Sequence, residues 1–301
     1  MKEIVVISGK GGTGKTSIVS AFAALASKPV LADCDVDAAD LHLILEPNVQ
    51  HKEDFTGGKQ ARILSGHCVA CGKCEEVCRF DAIFFDGPGN GKVDRTFRVD
   101  PVACEGCGVC HWFCDYNAVE FKEVVNGQWF ISNTRFGPMV HARLGIAAEN
   151  SGKLVSLVRQ NAKTIAESQN RDYIIVDGPP GIGCPVIASI TGADAVVIVT
   201  EPTLSGVHDL DRVAQLTRHF NIPAFTVVNK WDLNPELTRR IEMESQTQGV
   251  EFAGKVNYDP NVVKAQLEKK SIVEYADNET SNTLRALWQK VKLAADQIDA
   301  T

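Results

Sequence analysis

Residues 4–17 read IVVISGKGGTGKTS, an apolar run that breaks into glycines. The run Ile4-Val5-Val6-Ile7 is continuous and β-branched, as suits a strand buried on both faces, and it breaks at Ser8 into a glycine-rich loop. Small and apolar residues follow over 16–26, the pattern of a packed helix. Between them Gly9-Lys10-Gly11-Gly12-Thr13-Gly14-Lys15-Thr16 satisfies the phosphate-loop pattern G-x-x-x-x-G-K-S/T, in the strand–loop–helix context that makes it informative. Its glycines let backbone N–H groups face phosphate oxygens, and the helix N-terminus adds positive potential. Gly9, Gly11, Gly12, Thr13, Gly14 and Ser17 are expected around the phosphates. Lys15 is expected on the β and γ phosphates, with the Thr16 hydroxyl on Mg2+.

Outward from the loop, an apolar segment at 30–32 ends in Asp33-Cys34-Asp35-Val36-Asp37. Further apolar segments at 173–176, 195–200, 224–228 and 252–256 alternate with helical patterns at 205–219 and 235–247. Short buried strands separated by helices predict an α/β fold with a mostly parallel sheet covered on both faces. Asp177 closes YIIVD just before Gly178-Pro179-Pro180-Gly181, and Asn229-Lys230-Trp231-Asp232 follows another strand. A last helix over 282–298 puts Leu284, Leu287, Trp288, Val291 and Ala295 on one stripe. Packing on the sheet is the expectation, because Asp296 and Asp299 would oppose an anionic membrane surface.

Lys10 adds a second signature. KGGTGKT resembles the deviant Walker A motif of the P-loop ATPase group that contains MinD, ParA and the nitrogenase iron protein. The resemblance implies a homodimer sandwiching two nucleotides, with Lys10 reaching the partner's nucleotide. It implies that Asp35 is a switch I carboxylate positioning water and Mg2+, and that Asp177 is a Walker B carboxylate leading into switch II. Asp33 and Asp37 are weaker candidates. Asn229 and Asp232 are base-recognition candidates; N-K-x-D also fits guanine-specific GTPases, and it is the loop resemblance that points to ATP. Residues 256–260 follow the final strand, where that group closes over the base.

Between about 51 and 135 the alternation of strand and helix breaks down. Here CVACGKCEEVC at 68–78 and CEGCGVCHWFC at 104–114 share the spacing C-x2-C-x2-C-x3-C. Overlaying the blocks also aligns Gly72 with Gly108, Phe80 with Tyr116, Ala82 with Ala118 and Phe85 with Phe121, so an internal duplication is the simplest account. Asn126-Gly127, flanked by apolar segments, reads as a hairpin turn. The spacing resembles that of bacterial two-cluster ferredoxins, and tight sets of soft thiolates suit iron–sulfur clusters; two zinc sites are the alternative. In the ferredoxin pattern the fourth cysteine crosses over. The resemblance thus implies Cys68, Cys71, Cys74 and Cys114 on one 4Fe-4S cluster, and Cys104, Cys107, Cys110 and Cys78 on the other. Arg79 and Asp115 stand where ferredoxins usually have Pro, which leaves the local turn and the potential open. His67, His111 and Trp112 abut the cysteines and are read as packing or supporting residues.

Two cysteines lie outside the blocks. Cys34 reads as a small buried residue. Cys184 follows Asp177 as the switch II cysteine of the nitrogenase iron protein follows its own aspartate, but 136–172 hold no candidate for that protein's second cysteine. A structural thiol is favoured, with a metal or redox role across a dimer as the alternative.

The domain expectation is an ATPase domain over 1–56 and 136–301, interrupted over 57–135 by a small ferredoxin-like α+β insert. A net charge of -7 argues against general affinity for nucleic acid. No segment approaches bilayer-spanning length and no charged-then-apolar leader opens the chain, so the cytoplasm is the default; there ten cysteines are not read as disulfides. The resulting expectation is a MgATP-hydrolysing dimer whose nucleotide state gates electron transfer from two clusters to a redox partner protein. A cluster scaffold or carrier of the Mrp type is the alternative, and a MinD-like positioning ATPase braced by its clusters a third reading.

Overall fold

The computed structural model describes residues 1–145 and 151–297. Two compact units account for the chain. The first takes in Met1–Glu53, Trp129–Arg143 and the chain from Ser151 onward; the second is Asp54–Gln128 with a short stretch from Leu144.

Among the described residues eleven strands form in chain order: β1 (Lys2–Ser8), β2 (Pro29–Asp33), β3 (Asn48–Ile63), β4 (Ile83–Gly87), β5 (Thr96–Val99), β6 (Val119–Asn133), β7 (Pro138–Leu144), β8 (Tyr173–Pro180), β9 (Ala195–Thr200), β10 (Ala224–Asn229) and β11 (Glu251–Val256). The main sheet has the order β11-β10-β9-β1-β8-β2-β7-β6-β3, and every pairing from β11 across to β7 is parallel. β1 lies between β8 and β9, so Ile4, Val5, Val6 and Ile7 are wholly buried. This is why an unbroken β-branched run was needed there: both faces are covered. The register sets Asp33 beside Asp177 at the carboxyl ends of β2 and β8, where the loops of an open α/β sheet bind ligands.

The helix Glu279–Gln297 buries Leu284, Leu287, Trp288, Val291 and Ala295. Trp288 packs its ring 5.3 Å from Phe22 and 5.4 Å from Tyr173, so the apolar stripe is core, as expected. Asp296 accepts a hydrogen bond from the Tyr173 hydroxyl; Ile298 and Asp299 lie outside the described residues. Among the described residues no helix is long and apolar enough to cross a membrane.

The expected hairpin at Asn126-Gly127 does not form. β6 runs through both residues, neither has the positive φ that a two-residue turn requires, and the Asn126 carbonyl accepts a hydrogen bond from Gly145 N–H. Gln128 also donates to Asp54 at 2.8 Å. Strand pairing outweighs the local turn propensity.

In the second unit β4 and β5 pair antiparallel, and two short helices, Lys73–Glu76 and Val109–Trp112, repeat one design. Each is preceded by a left-handed glycine, Gly72 at φ 83° and Gly108 at φ 76°, a conformation that a side chain would strain. The core of this unit is small. Ala61, Ile83, Phe97, Ala118 and Val119 form it with Cys68 and Cys110, while Cys74, Cys78, Cys104 and Cys114 pack against it. A core this small needs a staple, commonly disulfides or a bound metal, and all ten thiols are free.

Candidate functional site

The first unit carries a charged cluster where β1, β2 and β8 end. The helix Lys15–Leu25 starts from Gly14, whose φ of 84° sets the turn, and no side chain caps its first N–H groups. Gly9 is also fixed by space, since a Cβ there would stand 2.2 Å from that of Asp209. Gly11 and Gly12 are exposed, whereas Thr13 and Lys15 are buried. Thr16 and Ser17 are half-buried in the first turn, where Ser17 accepts from Gln266 at 2.9 Å.

Lys15 Nζ donates to Asp177 at 2.6 Å and to Asp35 at 3.2 Å. Burial works against the ammonium charge, but Asp177 and Asp35 outweigh it and hold Lys15 above its usual range. Burial pushes Asp33 well above the ordinary carboxyl range, with Asp177 adding to the rise; burial also raises Asp35, against the pull of Lys15. One ammonium therefore faces three carboxyl groups. Asp33 Oδ2, Asp177 Oδ2 and Thr13 Oγ1 are buried without hydrogen-bond partners. Hard oxygen donors with an excess of negative charge are what Mg2+ takes, so the residues fit that ion. Asp37 is exposed, and its charge adds to the rise at Asp35.

These shifts fix a pH dependence. Raised carboxyl pKa values mean that the folded chain binds protons the unfolded chain does not, so stability falls as pH rises through the window above the ordinary carboxyl value. Without divalent cations, Asp33→Asn is expected to be more stable than wild type at neutral pH, and the gap should close on acidification. Thermal denaturation at several pH values reads this out; a gap independent of pH would contradict it.

Lys10 Nζ lies 3.3 Å from Ser205 Oγ, 3.4 Å from Thr203 Oγ1 and 3.7 Å from Glu201. Glu201 also accepts from Lys230 at 2.6 Å, so one carboxylate serves the phosphate loop and the N-K-W-D loop together. The sequence reading missed Glu201; its one signal was a carboxylate directly after a buried strand. Asn229 donates to the Thr13 carbonyl at 2.8 Å, and Asp232 accepts from Tyr258 N–H at 2.6 Å. The structure thus joins Asn229 to the phosphate loop, and Asp232 to the segment after β11. Cys34 is fully buried, as read. Cys184 is exposed at the start of the helix Cys184–Ile190, so packing within the chain does not account for it.

The second unit carries two small cavities that open to solvent. Cys68, Cys71, Cys74 and Cys114 line one, with Lys73, Phe97 and Tyr116 in its wall. Cys78, Cys104, Cys107 and Cys110 line the other, with Glu105, Phe80 and Val109. Burial pushes the Cys74 thiol up to about 12 and Cys110 up to about 11, with neighbouring thiols adding to both. Thiols held this protonated give up their protons to a thiophilic metal, which links metal binding to pH and to folding. Among the described residues no three metal-binding side chains converge on a single point; the cysteines line the two cavities, four to each. His111 Nδ1 is engaged with the Val119 carbonyl at 2.5 Å, while His67 and Trp112 are exposed.

Comparison with known proteins agrees with the first unit's geometry. The model of the CobQ/CobB/MinD/ParA nucleotide binding domain matches residues 4–272. An uncharacterized protein of Methanocaldococcus jannaschii is 35% identical over 235 residues, 77% of this chain and 79% of the relative. An iron-sulfur cluster carrier protein of Pyrococcus horikoshii is 26% identical over 132 residues, 40% of this chain and 45% of that protein. Among solved structures, the septum site-determining protein MinD complexed with Mg-ADP, from Pyrococcus horikoshii, superposes with a TM-score of 0.58 at 17% identity, covering 97% of each chain. The chain therefore belongs to the CobQ/CobB/MinD/ParA nucleotide-binding family.

Proposed function

We propose that the chain is a MgATP-hydrolysing homodimer in which nucleotide state gates electron transfer from two 4Fe-4S clusters to a partner protein. One observation carries this reading: a phosphate loop with its acidic cluster and two cavities each ringed by four thiols occur in the same chain. Four soft donors spread around a mostly apolar wall fit a polynuclear cluster.

In the nucleotide site, Mg2+ would supply charge neutralisation at the transferred phosphoryl group, held by Thr16 with Asp35 and supported by Asp177. Lys15 then exchanges its carboxylate partners for β and γ phosphate oxygens. The N–H groups of Gly11–Thr16 cradle the phosphates, as the uncapped helix start favours. Lys10, exposed enough to leave Glu201 and Ser205, serves as the deviant Walker A lysine that reaches a partner's nucleotide. Asn229 braces the loop from the base side, and Asp232 stands ready for the base. That the similar MinD structure is a complex with Mg-ADP supports a purine nucleotide here.

In the second unit, Cys68, Cys71, Cys74 and Cys114 would hold one cluster and Cys104, Cys107, Cys110 and Cys78 the other, in a ferredoxin-like insert. When bound, the clusters supply one-electron redox chemistry. The chain's own residues Phe97, Ile83 and Val119 pack with Cys68 and Cys110 and exclude water from that side, while Cys71 and Cys107 stand on the exposed side. A cytoplasmic setting keeps such thiols reduced. The test is the reduction potential of each cluster and the rate of partner reduction, with and without MgATP. A shift in either supports gating; identical values reject it.

A second reading is favoured by the similarity to an iron-sulfur cluster carrier and by the exposed Cys184: an ATP-dependent scaffold or carrier. Transfer of labelled iron from the loaded chain to an apo-acceptor, abolished by Cys184→Ser, would select it.

A further inference from the structure

The duplicated cysteine blocks are not electrically equivalent. Overlaid, they set Lys73 opposite Val109, Val69 opposite Glu105, and Ala82 opposite Ala118. Lys73 lies in the wall of the cavity ringed by Cys68, Cys71, Cys74 and Cys114, which contains no carboxylate. Glu105 lies in the wall of the other, which contains no cation. A third difference has the same sense. Ala118 N–H donates to Cys114 Sγ at 3.3 Å, and among the described residues Cys78 receives no counterpart from Ala82.

Resting on the reading of these cavities as cluster sites, we propose that the cluster at Cys68, Cys71, Cys74 and Cys114 is the more easily reduced, with Lys73 and Glu105 setting the order. Reduction adds one electron and so one unit of negative charge to a cluster. A cation in the wall and an N–H donor on a ligand sulfur stabilise the reduced form, whereas a carboxylate in the wall opposes it. Four exposed charges act the other way, Glu75 and Glu76 directly after Cys74 among them. Asp115, next to Cys114, pairs with Lys73 at 3.0 Å, and Arg79 adjoins Cys78. None of these lines a cavity, and the Asp115 side chain is 73% exposed against 43% for Lys73, so solvent screens Asp115 more than it screens Lys73. Lys73 and Glu105 therefore tune the sites without ligating. An electron entering at the Glu105 site runs downhill to the Lys73 site, which makes the latter the resting place of the first electron.

The test is potentiometric EPR on the iron-loaded full chain, after iron and sulfide have been counted. Wild type is expected to show two one-electron steps whose reduction equilibria differ at least tenfold, about 59 mV. Lys73→Gln should lower the upper step and leave the lower one; Glu105→Gln should raise the lower step and leave the upper one. A fully loaded chain with coincident steps, or with Lys73→Gln moving only the lower step, would overturn the proposal. A chain that takes up no iron would overturn the cluster reading itself, and this inference with it.

Discussion

Replacing Cys68 and Cys114 together by serine is expected to halve the iron and sulfide of the loaded chain, whereas replacing Cys104 and Cys114 together should remove nearly all of both. The reason is the crossing of the fourth cysteine. Cys114 follows Cys110 in sequence, yet it lines the cavity of Cys68, Cys71 and Cys74 rather than that of its own block. The first pair of substitutions thus falls on one site and costs what either alone costs, while the second pair breaks two. Uncrossed ligation predicts the reverse assignment of the two double variants, so the comparison does not depend on the size of any single effect. The unit's small core adds a structural consequence. Since metal binding contributes to folding where thiols form so much of the core, the doubly depleted variant should also be cleaved faster by protease within 54–128.

Lys15→Ala is expected to lower ATP hydrolysis by on the order of 10²–10³-fold, the usual effect of removing one preorganised donor to transition-state charge. It should also destabilise the chain itself. Lys15 and Asp177 have side chains only 6% and 1% exposed, and removing one partner of a buried pair costs about 3–5 kcal/mol. The lower end applies, because Asp33 and Asp35 already hold protons more readily than ordinary carboxyls and can neutralise when the ammonium is gone. Adding Asp177→Asn should recover much of the lost stability and none of the hydrolysis. Chemical denaturation and turnover measured on the same three proteins separate the two effects. Equal stability of wild type and Lys15→Ala would contradict the buried ion-pair account.

The parts that were legible in the sequence are those whose chemistry is local. The phosphate loop is one unbroken segment whose strand and helix are neighbours in the chain, so spacing alone carries it. Buried parallel strands such as Ala195–Thr200 read clearly because both faces are apolar. β3 did not, since most residues of Asn48–Ile63 are polar and exposed and only its later part alternates with burial. Asn126-Gly127 misled for the converse reason: a strong local turn signal lost to the continuation of β6 within the sheet, with the Asn126 carbonyl bonded to Gly145 N–H. Glu201 was invisible because its role comes from the approach of Lys10 and Lys230, which are far apart in sequence. The electrical inequality of the two cysteine blocks was written at Lys73 and Glu105 all along. It acquired meaning only when each side chain was found in the wall of a cavity.

The measurement that bears most directly on the whole account is an iron, sulfide and zinc assay of the wild-type chain purified without oxygen. The expected result is a brown protein with iron and sulfide in equal amounts, enough for two 4Fe-4S clusters per chain, and no stoichiometric zinc. Colourless material, or two zinc ions per chain in place of iron, would contradict it.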